Sequence, residues 1–230
     1  MVIADTPVDA GPPSYPRTAH LPPVGVPVRD DLVLSDAEAA RLLADEVIFE
    51  EKLDGANVAV WLDAVGVPQA ATRGGPGALD RANQLGLLRG WIAAHGDELR
   101  ALLAPGDVLY GEWLWWRHAV AYDALPDWLV GIDLADSAGR FAEVDERNRR
   151  LAGVSVPAPP TLGRGRFRGR SELEKCLGRS RFGPGPAEGL VVRSLAGRRV
   201  VKVVREEFVV RSDEDWRRPE RNRLAATAMV

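Results

Sequence analysis

Lys52 is the residue with the most chemical promise. It stands in Glu50-Glu51-Lys52-Leu53-Asp54-Gly55-Ala56-Asn57. Asp54-Gly55 is a turn pair, so the lysine ends one expected strand just before the next begins. A primary amine is a nucleophile only when uncharged. At an unperturbed pKa of ~10.4, about one lysine in 2,500 is neutral at pH 7. Bringing that pKa to ambient pH takes roughly 4–5 kcal/mol, which burial, a second cation or a bound metal can supply. Lys202, in Val200-Val201-Lys202-Val203-Val204, is flanked by valines on an expected strand. It is expected to point into a cleft and serve as that second cation. Taken alone, Lys-x-Asp-Gly also suits a surface turn with a solvated lysine. His20, His95 and His118 are scattered and Cys176 is the single cysteine, which excludes a Cys-rich zinc site and a disulfide framework.

The weight comes from the blocks that follow Lys52 in order. Arg73 lies in Thr72-Arg73-Gly74-Gly75, and Glu112 in Leu109-Tyr110-Gly111-Glu112-Trp113. Asp133 lies in Val130-Gly131-Ile132-Asp133-Leu134, and Glu188 opens Glu188-Gly189-Leu190-Val191-Val192-Arg193. Lys202 closes the series. With these blocks the sequence resembles the covalent nucleotidyltransferase superfamily, in particular its ATP-dependent RNA ligases, from Tyr15 to Phe208. The resemblance implies an α+β nucleotidyltransferase (ATP-grasp-like ligase) domain of antiparallel sheets flanked by helices. It implies that Lys52 attacks the α-phosphorus of ATP and carries AMP covalently. The AMP then passes to an RNA 5′-phosphate end, and a 3′-hydroxyl displaces it to seal the strand.

Further roles are carried over position by position. Lys202 would contact the α-phosphate. Glu188 would hold Mg2+ or Mn2+; magnesium takes oxygen ligands and retains several waters, so one or two acids suffice. Glu112 would hold the ribose hydroxyls, and Arg73 the sugar and phosphate. Asn57 would order the metal's water shell or the RNA ends, and Glu51 would help to fix the adenine. Asp54 and Gly55 complete the nucleotide-binding block. The sequence departs from the family in two places. Ile132 stands where an adenine-stacking aromatic residue is usual. Val204 stands where phage-type ligases carry a second lysine, and the Arg205 beside it would point to the opposite face of a regular strand. Three alternatives use the same residues: a small DNA ligase, a GTP-using capping transferase, and a non-catalytic RNA-binding module of the same fold.

Several elements must position these residues. Ser35 and Glu38 form a capping-box pattern that opens a short helix through Leu43. Strands are expected at Val47–Phe49, 56–62, 108–113, 129–134, 189–194 and 198–204. Leu195-Ala196-Gly197 would join the last two as a hairpin. Leu85, Leu88, Trp91, Ile92, Leu99, Leu102 and Leu103 give helical periodicity over 79–103, broken near His95-Gly96. A charged helix is expected at about 143–151. Prolines and alternating Gly/Arg predict a loop over 157–170, whose arginines would suit a phosphate backbone or a solvated surface equally. Ser171 and Glu174 repeat the capping-box pattern before a helix holding Cys176. Trp113, Trp115, Trp116 and Trp128 read as core, with base stacking as the sharper alternative.

Composition sets the outer bounds. The 230 residues are 46% hydrophobic, with 30 Lys+Arg against 33 Asp+Glu and a net charge of −3. A polynucleotide partner therefore needs a local basic face rather than a polycationic chain. No apolar run approaches the ~20 residues of a membrane span, and the N-terminus has no secretory pattern. The expectation is a soluble cytoplasmic protein, with an accessory repair protein as a further partner. Residues 1–30 hold seven of the seventeen prolines. They suggest a flexible lead-in over 1–14, before a domain over 15–210 and a short charged tail over 211–230 ending in a weak helix. That tail is too short for an OB domain.

Overall fold

Val47, Phe49, Glu51 alternate along one strand with Ile48, Glu50, Lys52, and this alternation separates a core face from a chemical face. The computed structural model describes residues 11–22, 32–72, 86–195, 199–209 and 220–226. The strands are β1 (Ala19–His20), β2 (Val47–Lys52), β3 (Ala56–Leu62), β4 (Pro68–Thr72), β5 (Val108–Trp113), β6 (Leu129–Ala135), β7 (Thr161–Gly165), β8 (Gly189–Ser194) and β9 (Val200–Val204). The helices are α1 (Asp36–Ala44), α2 (Gly86–Ala94), α3 (Gly96–Leu102), α4 (Val144–Ala152), α5 (Arg170–Glu174) and α6 (Glu206–Val209). One sheet has the order β1-β9-β8-β2-β7 and the other β4-β3-β5-β6. Every strand pair is antiparallel except β1 with β9. The α+β class and its antiparallel sheets are as the sequence implies.

Each sheet buries one face under helices. Val47, Phe49, Leu190, Val192, Val201 and Val203 pack with Leu42 and Leu43 of α1 and Leu173 of α5. Val58, Val60, Leu109 and Trp113 pack with Leu88, Trp91 and Ile92 of α2, Leu99 of α3 and Leu151 of α4. The other faces of the two sheets line a common cavity. A bulge sharpens this arrangement: Tyr110 pairs with Asp133 and Gly111 with Gly131, leaving Ile132 as the extra residue of β6. The bulge lets the consecutive Ile132 and Asp133 both serve the cavity side.

The first capping box forms, with the Ser35 hydroxyl accepting from Glu38 N and Ser35 N donating to Glu38 Oε2 at 3.1 Å. The second does not. Gly169 is the N-cap of α5 with no side-chain bond, and Glu174 pairs instead with Arg170, leaving Cys176 in the turn beyond the helix. The expected loop over 157–170 contains β7, whose edge pairing to β2 no sequence periodicity reveals. Short strands β1 and β4 were likewise not expected. Within the expected lead-in, Pro13 O accepts from the Tyr110 hydroxyl at 2.7 Å. Residues 220–226 of the tail dock on the domain, where Asn222 is buried against the 114–125 loop. Residues 196–198, 210–219 and 227–230 lie outside the described residues. Among the described residues no helix is long and apolar enough to cross a membrane.

Candidate active site

Lys52 ends β2 because Gly55 lets the chain double back against β5. A Cβ at Gly55 would lie 2.5 Å from Trp113 O, so only glycine permits this approach. Gly55 N instead donates to Glu112 Oε1 at 2.9 Å. Asp54 completes the turn by accepting from Ala119 N at 2.6 Å and Val120 N at 2.9 Å. One oxygen of its carboxylate is committed to these amides, and the charge of Asp54 also acts on the Lys52 amine.

The cavity has a volume of about 340 Å³. Lys52, Gly55, Asn57, Glu112, Ile132 and Lys202 line it, with Glu50, Val191 and Arg193 and, from the start of the domain, Tyr15, Arg17 and Thr18. Asn57 and Glu112 are direct partners across β3 and β5, and Lys202 faces Val191 across β9 and β8. The Lys52 amine donates to Glu188 Oε2 at 2.6 Å, with 23% of the lysine side chain exposed and 11% of the glutamate. Glu188 is fixed by its neighbours. Gly189 follows it where a Cβ would lie 2.0 Å from Val203 O, and Arg205 N donates to Glu188 O at 3.0 Å. The Arg205 side chain donates to Ala187 O and Gly178 O, so it braces the approach to Glu188.

Glu51 borders the cavity, but alternation turns its carboxylate to the other side of β2. There it accepts from the Ser180 hydroxyl at 2.5 Å and Arg181 N at 2.8 Å. Glu51 thus borders the cavity beside Lys52 while its carboxylate is held elsewhere. Lys52 was expected to have a lowered pKa. Burial does pull it down, but Glu188, Glu112 and Asp54 outweigh burial and hold the amine above its usual range. Burial raises both Glu112 and Glu188 to about 7, although Lys52 draws each of them down. Arg73 lies outside the described residues.

The sequence missed a buried ionic network behind the cavity. Glu50, fully buried, accepts from Arg193 Nε at 2.8 Å and pairs with Arg147 of α4. Arg193 also donates to both oxygens of Asp133 at 3.0 Å. The Tyr15 hydroxyl donates to Asp133 Oδ2 at 2.5 Å, and its ring centroid lies 5.1 Å from that of Tyr110. Arg193 stood within a quoted block, but nothing in the sequence pointed to Arg147. In the basic run over 164–170, buried Arg170 is spent on structure, donating to Leu21 O and Val204 O, whereas Arg164, which pairs with Asp145, Arg166 and Arg168 are exposed. Trp113 is 1% exposed. Trp115 packs 4.5 Å from Trp128, and the Arg221 guanidinium lies 5.4 Å over the Trp115 ring. Trp113 is core as read, Trp115 and Trp128 are half-buried against it, and Trp116 is half-buried outside the core clusters.

The RNA ligase family model matches residues 45–204, which contain Lys52, Glu112, Glu188 and Lys202. The chain belongs to the RNA ligase family. A Naegleria gruberi RNA ligase variant with ATP and Mn superposes with a TM-score of 0.54 at 14% identity, over 86% of this chain and 63% of that one. An apo variant gives 0.52 at 17% identity, over 74% and 52%. The Naegleria gruberi RNA ligase with PPi gives 0.52 at 15% identity, over 86% and 63%. At these identities the likeness is one of fold. This chain spans only 52% to 63% of the length of those structures. Among curated proteins the sequence finds no match.

For an RNA ligase family member, the donor set suits a divalent cation shared with a substrate. Among the described residues no group of three His, Cys, Asp or Glu could hold a metal unaided. Glu112 and Glu188 nevertheless bring two buried carboxylates to one amine; burial chiefly raises their pKa values, and neighbouring carboxylates add to the rise. A hard cation bound through one or two carboxylates, water and phosphate oxygens would offset that rise.

Proposed function

We propose that this protein is an ATP-dependent RNA ligase that joins 5′-phosphate and 3′-hydroxyl ends through lysyl-AMP and adenylylated RNA. The observation that carries the reading is the Lys52 amine at the wall of an intersheet cavity, bonded to Glu188 and sharing that cavity with Glu112, Asn57 and Lys202. ATP would place its base between the aliphatic faces of Ile132 and Val191. Glu112 would take the ribose hydroxyls and Lys202 the α-phosphate. The Lys52 ammonium gives up its excess protons to water. The amine forms the N–P bond as the bond from the α-phosphorus to the pyrophosphate oxygen breaks, and pyrophosphate leaves. Lys202 stabilises the charge on the phosphoryl oxygens during transfer. Magnesium or manganese held by Glu188, with Asn57 ordering water nearby, would supply Lewis-acid polarisation of the phosphate and weaken the carboxylates' hold on the amine's proton. The RNA 5′-phosphate oxygen then takes AMP from Lys52. The 3′-hydroxyl attacks that phosphate, AMP leaves, and the strand is joined.

The test is mass spectrometry after incubation with ATP or GTP and magnesium, followed by joining assays on nicked and single-stranded RNA and DNA. The expected result is a gain of roughly 329 Da, lost in Lys52→Ala, and sealing of RNA. A GTP adduct would indicate a capping-type transferase, and sealing of DNA alone a DNA ligase. A chain that never acquires a nucleotide would be a binding module.

A further inference from the structure

The turn after Lys52 is held from the far end of the chain. Asn222 is 4% exposed. Its Nδ2 donates to Leu114 O at 2.8 Å and Trp116 O at 3.2 Å, and its Oδ1 accepts from Tyr122 N at 2.9 Å. Backbone bonds flank it: Arg117 N to Glu220 O at 2.8 Å, Asn222 N to Trp115 O at 3.0 Å, and Arg223 N to Tyr122 O at 2.9 Å. One short segment thus closes the whole 114–122 loop.

That loop grips the nucleophile's turn. The Tyr122 hydroxyl accepts from Asp54 N at 2.9 Å, and the amides of Ala119 and Val120 hold the Asp54 carboxylate. Leu53 packs in the same cluster as Leu114, Val120, Tyr122 and Leu224. Both residues that follow Lys52 are therefore fixed by a loop whose own shape depends on Asn222. Buried amides with every bond satisfied specify a single geometry, because the loss of one partner leaves the others unpaired.

We propose that Asn222 is a positioning residue for the Lys52 nucleophile, acting through the 114–122 loop and Asp54. The inference rests on the reading of Lys52 as the group that takes AMP. None of these bonds reaches Glu50, Arg193 or Ile132, so the loop aims the amine and leaves the cavity's back wall untouched.

The test is single-turnover transfer of labelled AMP from ATP to the full chain. At saturating ATP, Asn222→Ala is expected to slow labelling roughly 10–100-fold, the scale of an ångström-level misplacement of a reacting group. Half-saturating ATP should stay near the wild-type value. Asn222→Asp retains the acceptor for Tyr122 N and should fall between the two. Tyr122→Phe keeps the buried ring and removes only the acceptor for Asp54 N; combined with Asn222→Ala, it should slow labelling less than the product of the single effects. Joining of RNA that already carries a 5′-AMP skips the lysine step and should suffer far less than labelling. Should Asn222→Ala not fold, Asn222→Asp and Tyr122→Phe carry the same test. Wild-type rates in these variants, multiplicative effects, or equal losses in labelling and joining would overturn the proposal. Wild-type protein that takes up no AMP would remove the reading of Lys52 itself, and this inference with it. Normal wild-type labelling with unaffected variants would remove this inference alone.

Discussion

Around Lys52, net electrostatics runs opposite to what an amine nucleophile needs. Three carboxylates keep the amine charged, and two of them, Glu112 and Glu188, are themselves raised to about 7 by burial. The arrangement suits a resting site that becomes reactive when substrate and cation take over the carboxylates. A carboxyl group whose folded pKa lies above its unfolded value stabilises the fold fully below the unfolded pKa, and that contribution is lost as pH rises through the folded pKa. The ligand-free protein is therefore expected to lose stability between about pH 4.5 and about pH 7 through these two groups. Melting temperatures across that range should show the slope, Glu112→Gln should flatten it, and magnesium should offset it. Gly55 makes a steric prediction. A methyl group there meets the backbone oxygen of Trp113 at 2.5 Å, so Gly55→Ala should cost ~1–3 kcal/mol by overpacking, measured by urea unfolding. The same change should slow Lys52 labelling.

At the scale of elements, the cavity stays open because charged side chains, rather than apolar ones, join β2, β6, β8 and α4 behind it. Arg193 is the shared member, bonded to Glu50, Asp133 and the carbonyl of Ile132. Removing one partner from a buried ion pair leaves an uncompensated charge and typically costs ~3–5 kcal/mol. Arg193→Ala should lose about that much in chemical denaturation. Tyr15→Phe should lose only ~1 kcal/mol, the usual net worth of one hydrogen bond. Together they should lose less than the sum, because both act on Asp133. The principal strands were legible at this scale: β3, β5 and β8 match their expected bounds, β6 is one residue longer and β9 two shorter, and β2 runs on from Phe49 to Lys52, twice its expected length. Short edge strands β1, β4 and β7 were not, since five or fewer residues give too little alternation to stand out from a turn.

Across the whole molecule, the segment 15–20 at the start of the domain acts as a third wall between the two sheets. Residues Ala19 and His20 run parallel to β9 beside Val201 and Lys202. This brings Tyr15, Arg17 and Thr18 to the cavity. Tyr15→Ala removes the ring that packs on Tyr110 and Phe141. It should raise the ATP concentration for half-maximal labelling of Lys52 more than it lowers the plateau rate, as titration of labelling against ATP would show. A change confined to the plateau rate would place Tyr15 outside nucleotide binding.

The sequence by itself determined the family and the candidate residues. Lys52, Glu112, Glu188 and Lys202 sit in short blocks whose residue types and order resemble that family's, and such local runs are visible without coordinates. It also determined the main strands and α1, because local alternation and a capping box act over a few residues. Only the tertiary structure decided that Glu51 turns away while Lys52 turns in, that Asp54 is spent on the amides of Ala119 and Val120, and that Glu50 meets Arg147 and Arg193. Each of these depends on which distant segment occupies the space opposite a side chain. Burial and pairing are properties of that meeting, and the chain's local pattern does not encode the partner.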